Sequence, residues 1–350
     1  MRIAFLTYNI DPRSGWGRHA SDLIYEIKRL GHDVIILKEA DDKLEGEAVL
    51  KRGLGLVWSA LKIRKIVSGC DVVHALDAYP YGIIASLASI GLNKKIIITA
   101  VGTYAITPLS LRRMAWLMKW AYVRANHVAT ISAYTKERIL EKLRINIKVI
   151  NPGIKLNSLI RPDDDLPRDY ILSVGAIKKR KGYHISIPAF AEARKNIPNL
   201  RYKIVGDQSD RKCLESLKNI SKDHGIEEYV DFIQNISDED LDKLYRRAKL
   251  FILTSVNYGD NFEGYGLVFI EAAARGLPVI GTLDNGIGDA VRDGINGILV
   301  PQKDIIKTKE AILKLLSCPD QEKIKKSSYD WALDHEINKS ADEYIGMYGN

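Results

Sequence analysis

The sequence predicts an α/β protein with two doubly wound domains that face a cleft. Short apolar runs of strand length alternate with segments whose apolar residues recur at helical spacing. This alternation stops once, at a polar stretch with two prolines in residues 157–169, and then starts again. With 350 residues, the chain also has the length of about two domains. Such a pattern is typical of parallel sheets covered by helices on both faces.

In the first half, the helix at residues 17–30 is the most strongly patterned element. Its apolar residues stand at positions 20, 23, 24, 27 and 30, and Gly31 follows as a residue suited to end a helix. The other elements follow from the same periodicity. In order, we expect strands at residues 2–7, 34–37, 71–74, 95–100 and 128–131, and helices at residues 17–30, 54–67, 82–90 and 109–124.

The second half repeats this order after the polar stretch, which we interpret as a linker between domains. Strands are expected at residues 170–174, 201–205, 230–232, 250–254 and 278–281, and helices at residues 184–195, 212–224, 238–248 and 266–275. Ligands of open α/β sheets bind at the carboxyl ends of the strands. The loops that follow the strands are therefore the candidate sites.

The excess positive charge lies in the first half of the chain. The net charge is +8, but residues 1–165 alone hold 25 Lys and Arg against 16 Asp and Glu, a net of +9. A region rich in cations attracts phosphates, lipid headgroups or nucleic acid. We expect no nucleic acid, because the strands lack the aromatic and basic residues that stack on bases. The stretch between Asp77 and Glu137 has no acidic residue and seven basic ones: Lys94, Lys95, Arg112, Arg113, Lys119, Arg124 and Lys136.

The cysteines and the N-terminus favour a cytoplasmic protein. Cys70, Cys213 and Cys318 lie far apart, without the spacing of a disulfide framework or a zinc site. The chain begins with an apolar strand rather than with the charged start and apolar stretch of a signal peptide. No uncharged apolar run reaches the ~18 residues that a spanning helix needs. We therefore expect a reducing compartment and no bound metal.

Gly15 and Gly17 form the first candidate motif, just ahead of the first predicted helix. Glycines let a backbone approach a phosphate closely, and a helix N-terminus supplies amide groups and a positive dipole. The spacing also fits a weak dinucleotide fingerprint, in which Glu39 after the second strand would bind the ribose. The alternative is a surface turn before a helix.

Four consecutive cations form the second candidate motif. Lys178, Lys179, Arg180 and Lys181 follow the strand predicted at residues 170–174. At the carboxyl end of that strand, the planar fork of Arg180 and the point charge of Lys181 would neutralise a diphosphate. The alternative is a solvated basic loop.

Glu263 and Glu271 form the third and strongest candidate motif. If a helix begins near Gly266, Glu263 lies in the loop before it and Glu271 lies more than one turn inside it. The amides at that helix N-terminus would face a bound sugar or phosphate. Glu271 stands among apolar residues, where a carboxylate needs a hydrogen-bonding partner. A vicinal diol of a ligand would serve, and the alternative is a buried structural salt bridge.

Together these motifs resemble those of the family-4 retaining glycosyltransferases, which have the GT-B fold of two Rossmann-like domains. The resemblance covers nearly the whole chain and depends above all on the Glu-x7-Glu motif of Glu263 and Glu271, with Gly-Leu-Pro-Val-Ile at 276–280. The other matching segments are Gly31-His32-Asp33-Val34, Ser132 with Thr135-Lys136, Asn151-Pro152-Gly153, Val174-Gly175 with Arg180-Lys181-Gly182, and Ile204-Val205-Gly206-Asp207.

The resemblance implies a role for each candidate residue. Arg180 and Lys181 would bind the donor diphosphate and stabilise the leaving group, and Glu271 would hold the ribose hydroxyls. Gly15 and Gly17 would border the phosphate from the N-terminal domain. Glu263 would contact the donor sugar or phosphate, together with the backbone of Gly264, Tyr265, Gly266, Leu267 and Val268.

The resemblance also implies the domain organisation. Residues 1–160 would form the acceptor-side domain, and residues 161–325 would form the nucleotide-sugar-binding domain. Residues 326–350 would hold a helix, near residues 331–348, that crosses back to the first domain. Two positions depart from the family pattern: Val101 replaces a histidine that often meets the donor sugar, and Ala176 replaces an arginine whose role Arg180 would take over.

The expected function is that of a retaining hexosyltransferase in polysaccharide or glycolipid biosynthesis. It would move a sugar from a nucleoside-diphosphate sugar to a lipid-linked acceptor or a growing glycan. We expect no cofactor and no metal, because the cations that stabilise the leaving group are built into the chain. Two alternatives remain: a sugar-nucleotide epimerase of the same fold, and a nicotinamide-dependent oxidoreductase that binds its dinucleotide at residues 15–20.

The helix predicted at residues 109–124 suggests contact with a membrane surface. It interleaves Arg112, Arg113, Lys119 and Arg124 with tryptophans and other apolar residues, a composition suited to lipid headgroups. The alternative is a core helix with solvated charges. We therefore expect the protein in the cytoplasm, with peripheral contact at the inner membrane face through the basic first half.

Overall fold

The computed structural model describes residues 1–156 and 169–349. All but the last residue of the predicted linker, 157–169, lies outside the described residues. The chain forms two compact units. Unit 1 comprises Met1–Lys155 and His335–Asn350, and unit 2 comprises Leu156–Asp334.

Unit 1 is built on a parallel sheet of seven strands. Its strands are β1 Arg2–Thr7, β2 Asp33–Lys38, β3 Glu47–Ala48, β4 Val72–Ala75, β5 Lys95–Ala100, β6 His127–Thr130 and β7 Lys148–Val149. The strand order is β3-β2-β1-β4-β5-β6-β7. The helices between them are α1 Gly15–Arg29, α2 Gly55–Ser68, α3 Ile83–Ala88, α4 Gly102–Ser110, α5 Ala115–Arg124 and α6 Ala133–Leu140. The core of the sheet is the apolar run of β1, whose residues from Ile3 to Leu6 are fully buried.

Unit 2 has a second parallel sheet, with six strands. Its strands are β8 Tyr170–Val174, β9 Arg201–Val205, β10 Val230–Ile233, β11 Ala248–Ile252, β12 Val279–Thr282 and β13 Gly297–Val300. The strand order is β10-β9-β8-β11-β12-β13. The helices are α7 Tyr183–Arg194, α8 Arg211–Asp223, α9 Asp238–Arg246, α10 Leu267–Ala273, α11 Ile287–Ala290, α12 Ile305–Leu316 and α13 Gln321–Leu333. The predicted fold class, two doubly wound parallel sheets, is confirmed.

The strand order places a topological switch point between β8 and β11. The chain leaves β8 toward β9 on one side of the sheet, and it leaves β11 toward β12 on the other side. In open α/β sheets the diverging loops at such a point leave a crevice for a ligand. The loop after β8 and the loop after β11 are therefore neighbours, although some 80 residues separate them in sequence.

The single helix predicted at residues 109–124 is wrong. The structure has α4, which ends at Ser110, and α5, which begins at Ala115. Leu111 between them adopts an extended backbone, with φ −90° and ψ 113°. Pro108 lacks the amide that would continue the hydrogen-bond ladder of α4, which weakens the end of that helix. The apolar pattern runs across this break and conceals it.

The last helix, α14 Ile337–Gly349, belongs to unit 1 and contacts α1 and β5. One helix is predicted near residues 331–348, but the structure ends α13 at Leu333 and starts α14 four residues later, at Ile337. Tyr344 and Tyr348 of α14 are buried in the core of unit 1. The Nδ1 of His74 lies 2.7 Å from the hydroxyl of Tyr348. The hydroxyl of Thr99 lies 2.8 Å from Nε2 of the same ring and 2.9 Å from the hydroxyl of Tyr344.

This buried polar network fixes α14 on the sheet of unit 1. Burial, followed by the nearby His19, lowers the pKa of His74 to about 3, so its ring is neutral at physiological pH.

We expect Tyr348→Phe to lower the free energy of unfolding by about 1–3 kcal/mol, because it leaves a buried ring nitrogen without its partner. Urea denaturation followed by circular dichroism measures the change. Tyr25→Phe, at an exposed tyrosine of the same unit, is the control and should shift stability by less than about 0.5 kcal/mol. Equal midpoints for the two variants would contradict a locking role.

Among residues 1–156 and 169–349, each helix is too short or too polar to cross a bilayer.

Candidate functional site

The strongest candidate site lies in unit 2, where the loop after β8 meets the loop after β11. The β8 loop carries the four consecutive cations, and its residues Lys179–Lys181 form one 3-10 turn. The β11 loop carries Glu263 and leads into α10. Both loops extend from the carboxyl ends of adjacent strands at the switch point.

Gly182 allows the two loops to pack closely. Its φ is +75°, and a Cβ at this position would stand 1.7 Å from the carbonyl oxygen of Thr254. The hydroxyl of Thr254 donates to the carbonyl of Gly182 at 2.8 Å. The amide of Val256 donates to the carbonyl of Arg180, also at 2.8 Å. These bonds fix the backbone of the cationic turn against the end of β11.

Arg180 and Lys181 converge on the carboxylate of Glu263. The Oε2 atom of Glu263 lies 2.8 Å from Nη1 of Arg180 and 2.7 Å from Nζ of Lys181. The hydroxyl of Ser255 donates to the same oxygen at 3.2 Å. Arg180 also donates to the carbonyl of Phe262, at 3.2 Å. The three charged groups leave one net positive charge in a largely buried position.

The protonation state of Glu263 follows from this arrangement. Burial on its own would raise the pKa of the carboxyl group. The charges of Lys181 and Arg180 and the hydrogen bonds from Lys181 and Ser255 outweigh burial and lower that pKa to about 2. Glu263 is therefore an anion throughout the physiological range, and it holds the two cations in place.

Glu271 lies on α10 and is partly buried. The hydroxyl of Tyr245, on α9, donates to its Oε2 at 3.0 Å. Arg275 donates to the main-chain carbonyl of Glu271 at 2.7 Å and is paired with Asp242 at 2.7 Å. Its guanidinium also lies 4.7 Å from the ring centre of Tyr245. The Glu271 carboxylate thus accepts a hydrogen bond from the hydroxyl of Tyr245, and the ring of Tyr245 packs against Arg275, which is paired with Asp242.

The backbone between the two glutamates is supported by the loop after β12. Gly266 precedes α10 with φ +91°, a conformation that favours glycine. A Cβ at Gly286 would stand 2.0 Å from the carbonyl oxygen of Gly264, and the amide of Gly286 donates to the carbonyl of Glu263. Tyr265 is buried, whereas Gly264, Leu267 and Val268 are partly exposed.

Gly15 and Gly17 lie in unit 1, in the first turn of α1. The helix begins at Gly15, two residues before its predicted start, with Ser14 as its cap. The amide of Gly17 donates to the hydroxyl of Ser14 at 3.1 Å, and a Cβ at Gly17 would stand 2.1 Å from Oδ1 of Asn9. Local packing thus already accounts for glycine at position 17. A Cβ at Gly15 would meet no atom within 4 Å.

Two other positions of unit 1 that the sequence singled out are Glu39 and Val101. Glu39, the ribose acid of the dinucleotide alternative, is paired with Arg52 at 2.7 Å and accepts a hydrogen bond from Tyr81 at 2.7 Å. Val101, where the family pattern often has histidine, lies between β5 and α4 and caps α4 with an extended backbone.

Sequence reasoning missed Ser255 and Tyr245. Ser255 directly follows the strand predicted at residues 250–254 and lies three residues beyond the end of β11, so its position near a strand end was a usable signal. Tyr245 gives no such signal, because it is buried on α9 and its hydroxyl reaches Glu271 on a different helix, α10.

Comparisons with known proteins match both units. The family model described as Glycosyltransferase Family 4 matches residues 13–158, and the model described as Glycosyl transferases group 1 matches residues 161–331. The chain is 24% identical to glycogen synthase of Mycobacterium tuberculosis, over 91% of this chain and 87% of that protein. It also superposes on HepE of Anabaena in complex with UDP-glucose, with a TM-score of 0.81, 19% identity and coverage of 99% and 100%. A third match is the lipopolysaccharide outer core galactosyltransferase WaaB, with a TM-score of 0.73, 19% identity and 99% coverage of both chains.

Proposed function

The chain belongs to the group 1 glycosyltransferases of family 4, and from that premise we propose how its residues bind the donor and assist the departure of the sugar. A member of this family transfers a sugar from a nucleotide-sugar donor to an acceptor. That activity sets aside the epimerase and oxidoreductase alternatives. The observation that carries the proposal is the convergence of Arg180 and Lys181 on Glu263 at the switch point of unit 2.

The donor diphosphate binds to Arg180 and Lys181 in this proposal. When the bond between sugar and phosphate breaks, negative charge grows on the leaving phosphate oxygen while the sugar becomes cation-like. Preorganised cations at that oxygen bind the transition state more strongly than the ground state, which lowers the barrier. Because Glu263 already fixes both cations, little reorganisation is needed when the charge develops.

Glu263 and Glu271 have different roles in this scheme. Every contact that the described residues make with the Glu263 carboxylate reaches Oε2. We therefore assign Oε1 to the hydroxyl groups of the donor sugar, which can donate a hydrogen bond to it, whereas an ionised phosphate cannot. Glu271 binds the ribose hydroxyls, with Tyr245 holding its carboxylate in position. The backbone from Gly264 to Val268 completes the donor site. Gly15 and Gly17, in the first turn of α1, are proposed as further phosphate contacts.

The donor is a UDP-hexose, and the transfer retains the anomeric configuration. The UDP-glucose complex of HepE, a protein of the same fold, supports the choice of nucleotide. Retention is typical of the family. The acceptor is a lipid-linked sugar or a growing glycan, as the glycan-building enzymes among the matches suggest.

A thermal-shift screen of nucleotide sugars tests the donor assignment. We expect UDP-glucose or another UDP-hexose to raise the melting temperature, because a ligand at ~100 times its dissociation constant adds about 2.7 kcal/mol of stability. GDP- and ADP-linked sugars at the same concentration are the matched controls. A larger shift with either of them would overturn the choice of UDP. If UDP-hexose shifts the melting temperature of Glu271→Gln as much as that of the native chain, Glu271 does not bind the ribose.

Transfer also needs no metal ion in this proposal, because two side-chain cations already stand where a divalent ion would neutralise the diphosphate. We expect activity in excess EDTA to equal that of the untreated enzyme. The measurement is the release of nucleoside diphosphate with saturating donor and acceptor. Loss of activity in EDTA that added Mg²⁺ or Mn²⁺ restores would contradict metal independence.

A further inference from the structure

Helix α2 in unit 1 is apolar on two faces. One face carries Leu56, Ala60, Ile63 and Val67, which are buried against the rest of the unit. The other face carries Val57, Trp58 and Leu61, and Leu54, which precedes the helix as its cap, completes the spacing i, i+3, i+4, i+7 of a single helical stripe. We refer to these four residues as the α2 stripe.

The α2 stripe is exposed. The exposed fractions are 102% for Leu54, 59% for Val57, 45% for Trp58 and 68% for Leu61. Single apolar residues at a surface are ordinary, but four large ones in a row along one helix form a contiguous patch. Patches of this kind mark surfaces that are covered by a partner.

Basic residues lie beside the α2 stripe, so a partner with negative charge fits this surface. The ammonium groups of Lys51 and Lys62 each lie 4.7 Å from the ring centre of Trp58. Between Glu47 and Asp71 the chain has no acidic residue and five basic ones: Lys51, Arg52, Lys62, Arg64 and Lys65. An apolar stripe edged by lysines, with a tryptophan among them, has the composition of a surface that lies on anionic lipid.

Helix α5 extends the same surface. α2 packs against α3, and α3 packs against α5. α2, α3 and α5 each lie in a connection that runs in the same direction along the sheet. Since such connections between parallel strands are right-handed, the three helices cover one face of the sheet. α5 exposes Trp116, Val123 and Lys119 on that side, and the basic Arg112 and Arg113 precede it.

We propose that the α2 stripe, with its lysines and the exposed residues of α5, docks unit 1 on an anionic lipid surface. A second copy of the chain is a poorer occupant, because a twofold contact would set each Lys51 and Lys62 beside the same lysines of the other copy. Docking on lipid would bring the enzyme to a lipid-linked acceptor, and only this reason for docking rests on the proposed function. Binding to vesicles does not depend on which donor the protein uses.

Vesicle co-sedimentation at low salt tests the stripe. The probes are vesicles of phosphatidylglycerol and phosphatidylcholine in equal amounts, compared with vesicles of phosphatidylcholine alone. We expect binding to the anionic vesicles, and roughly tenfold or greater weakening in the double variant Trp58→Ser, Leu61→Ser. Ile306→Ser, at an equally exposed apolar residue of α12, is the matched control and should bind as the native chain does.

A charge reversal tests the lysines. Lys51→Glu with Lys62→Glu should weaken binding to the anionic vesicles by roughly tenfold or more, whereas Lys212→Glu on α8 should not. Binding that is unchanged in the stripe and lysine variants, or absent in the native chain, would overturn the proposal. So would a dimer in lipid-free solution that the stripe variant converts to a monomer. A preserved thermal shift with UDP-glucose in these variants separates a failure of docking from a failure of the donor assignment.

Discussion

Lys181→Ala should lower turnover by about two orders of magnitude, because removing one group that stabilises developing charge commonly costs ~3 kcal/mol in the barrier. The side chain is well buried, lies 2.7 Å from Glu263 and is held there by the packing of Gly182 against Thr254. Water cannot replace it with equal effect, since a preorganised charge in a buried position acts through a lower dielectric. Initial rates at saturating donor measure the change.

Lys178→Ala is the matched control for this variant. Lys178 lies in the same loop but is exposed, and its loss should change turnover by less than about threefold. Both variants should be fully folded by circular dichroism, because Arg180 continues to neutralise Glu263 when Lys181 is absent. A near-normal turnover of Lys181→Ala would refute its role at the leaving group.

The contact between these loops could be anticipated from the sequence in outline. The apolar strands and the cations and acid that follow them identify two loops at strand ends. The strand order, which the periodicity does not contain, makes β8 and β11 neighbours and brings those loops together. That Glu263 binds both cations, rather than facing the donor alone, depends on side-chain geometry beyond any spacing rule.

Elements that the sequence pattern did not reveal were missed for other reasons. The edge strands β3 and β7 have two residues each, too few to show any alternation of apolar and polar side chains. The break at Leu111 was hidden because the apolar pattern continues through it, and only Pro108 marks it. The α2 stripe was overlooked for a related reason: a helix that is apolar on two faces is easily taken for a core helix, and only solvent exposure separates the faces.

Glu263→Gln should destabilise the folded protein by about 3 kcal/mol at neutral pH, because it leaves two partly buried cations without their counterion. The pKa of Glu263 is lowered from its ordinary 4.5 to about 2, so ionisation contributes stability that is fully present above pH 4.5 and is lost as the pH falls toward 2. A depression of this size corresponds to about 3 kcal/mol. The native chain should therefore lose stability in that acid window, and the variant should show a flatter profile there.

Urea denaturation between pH 2 and pH 7 measures both effects. The control is Glu310→Gln, which removes an exposed partner of Lys307 and should leave the free energy of unfolding nearly unchanged, because water already screens this pair. UDP supplies the test that links stability to function. Its phosphates give Arg180 and Lys181 the negative partner that the substitution removed, so saturating UDP should raise the stability of Glu263→Gln by more than it raises that of the native chain. An equal effect of UDP on both proteins would mean that the diphosphate binds away from these cations, and the assignment of the donor site would fail with it.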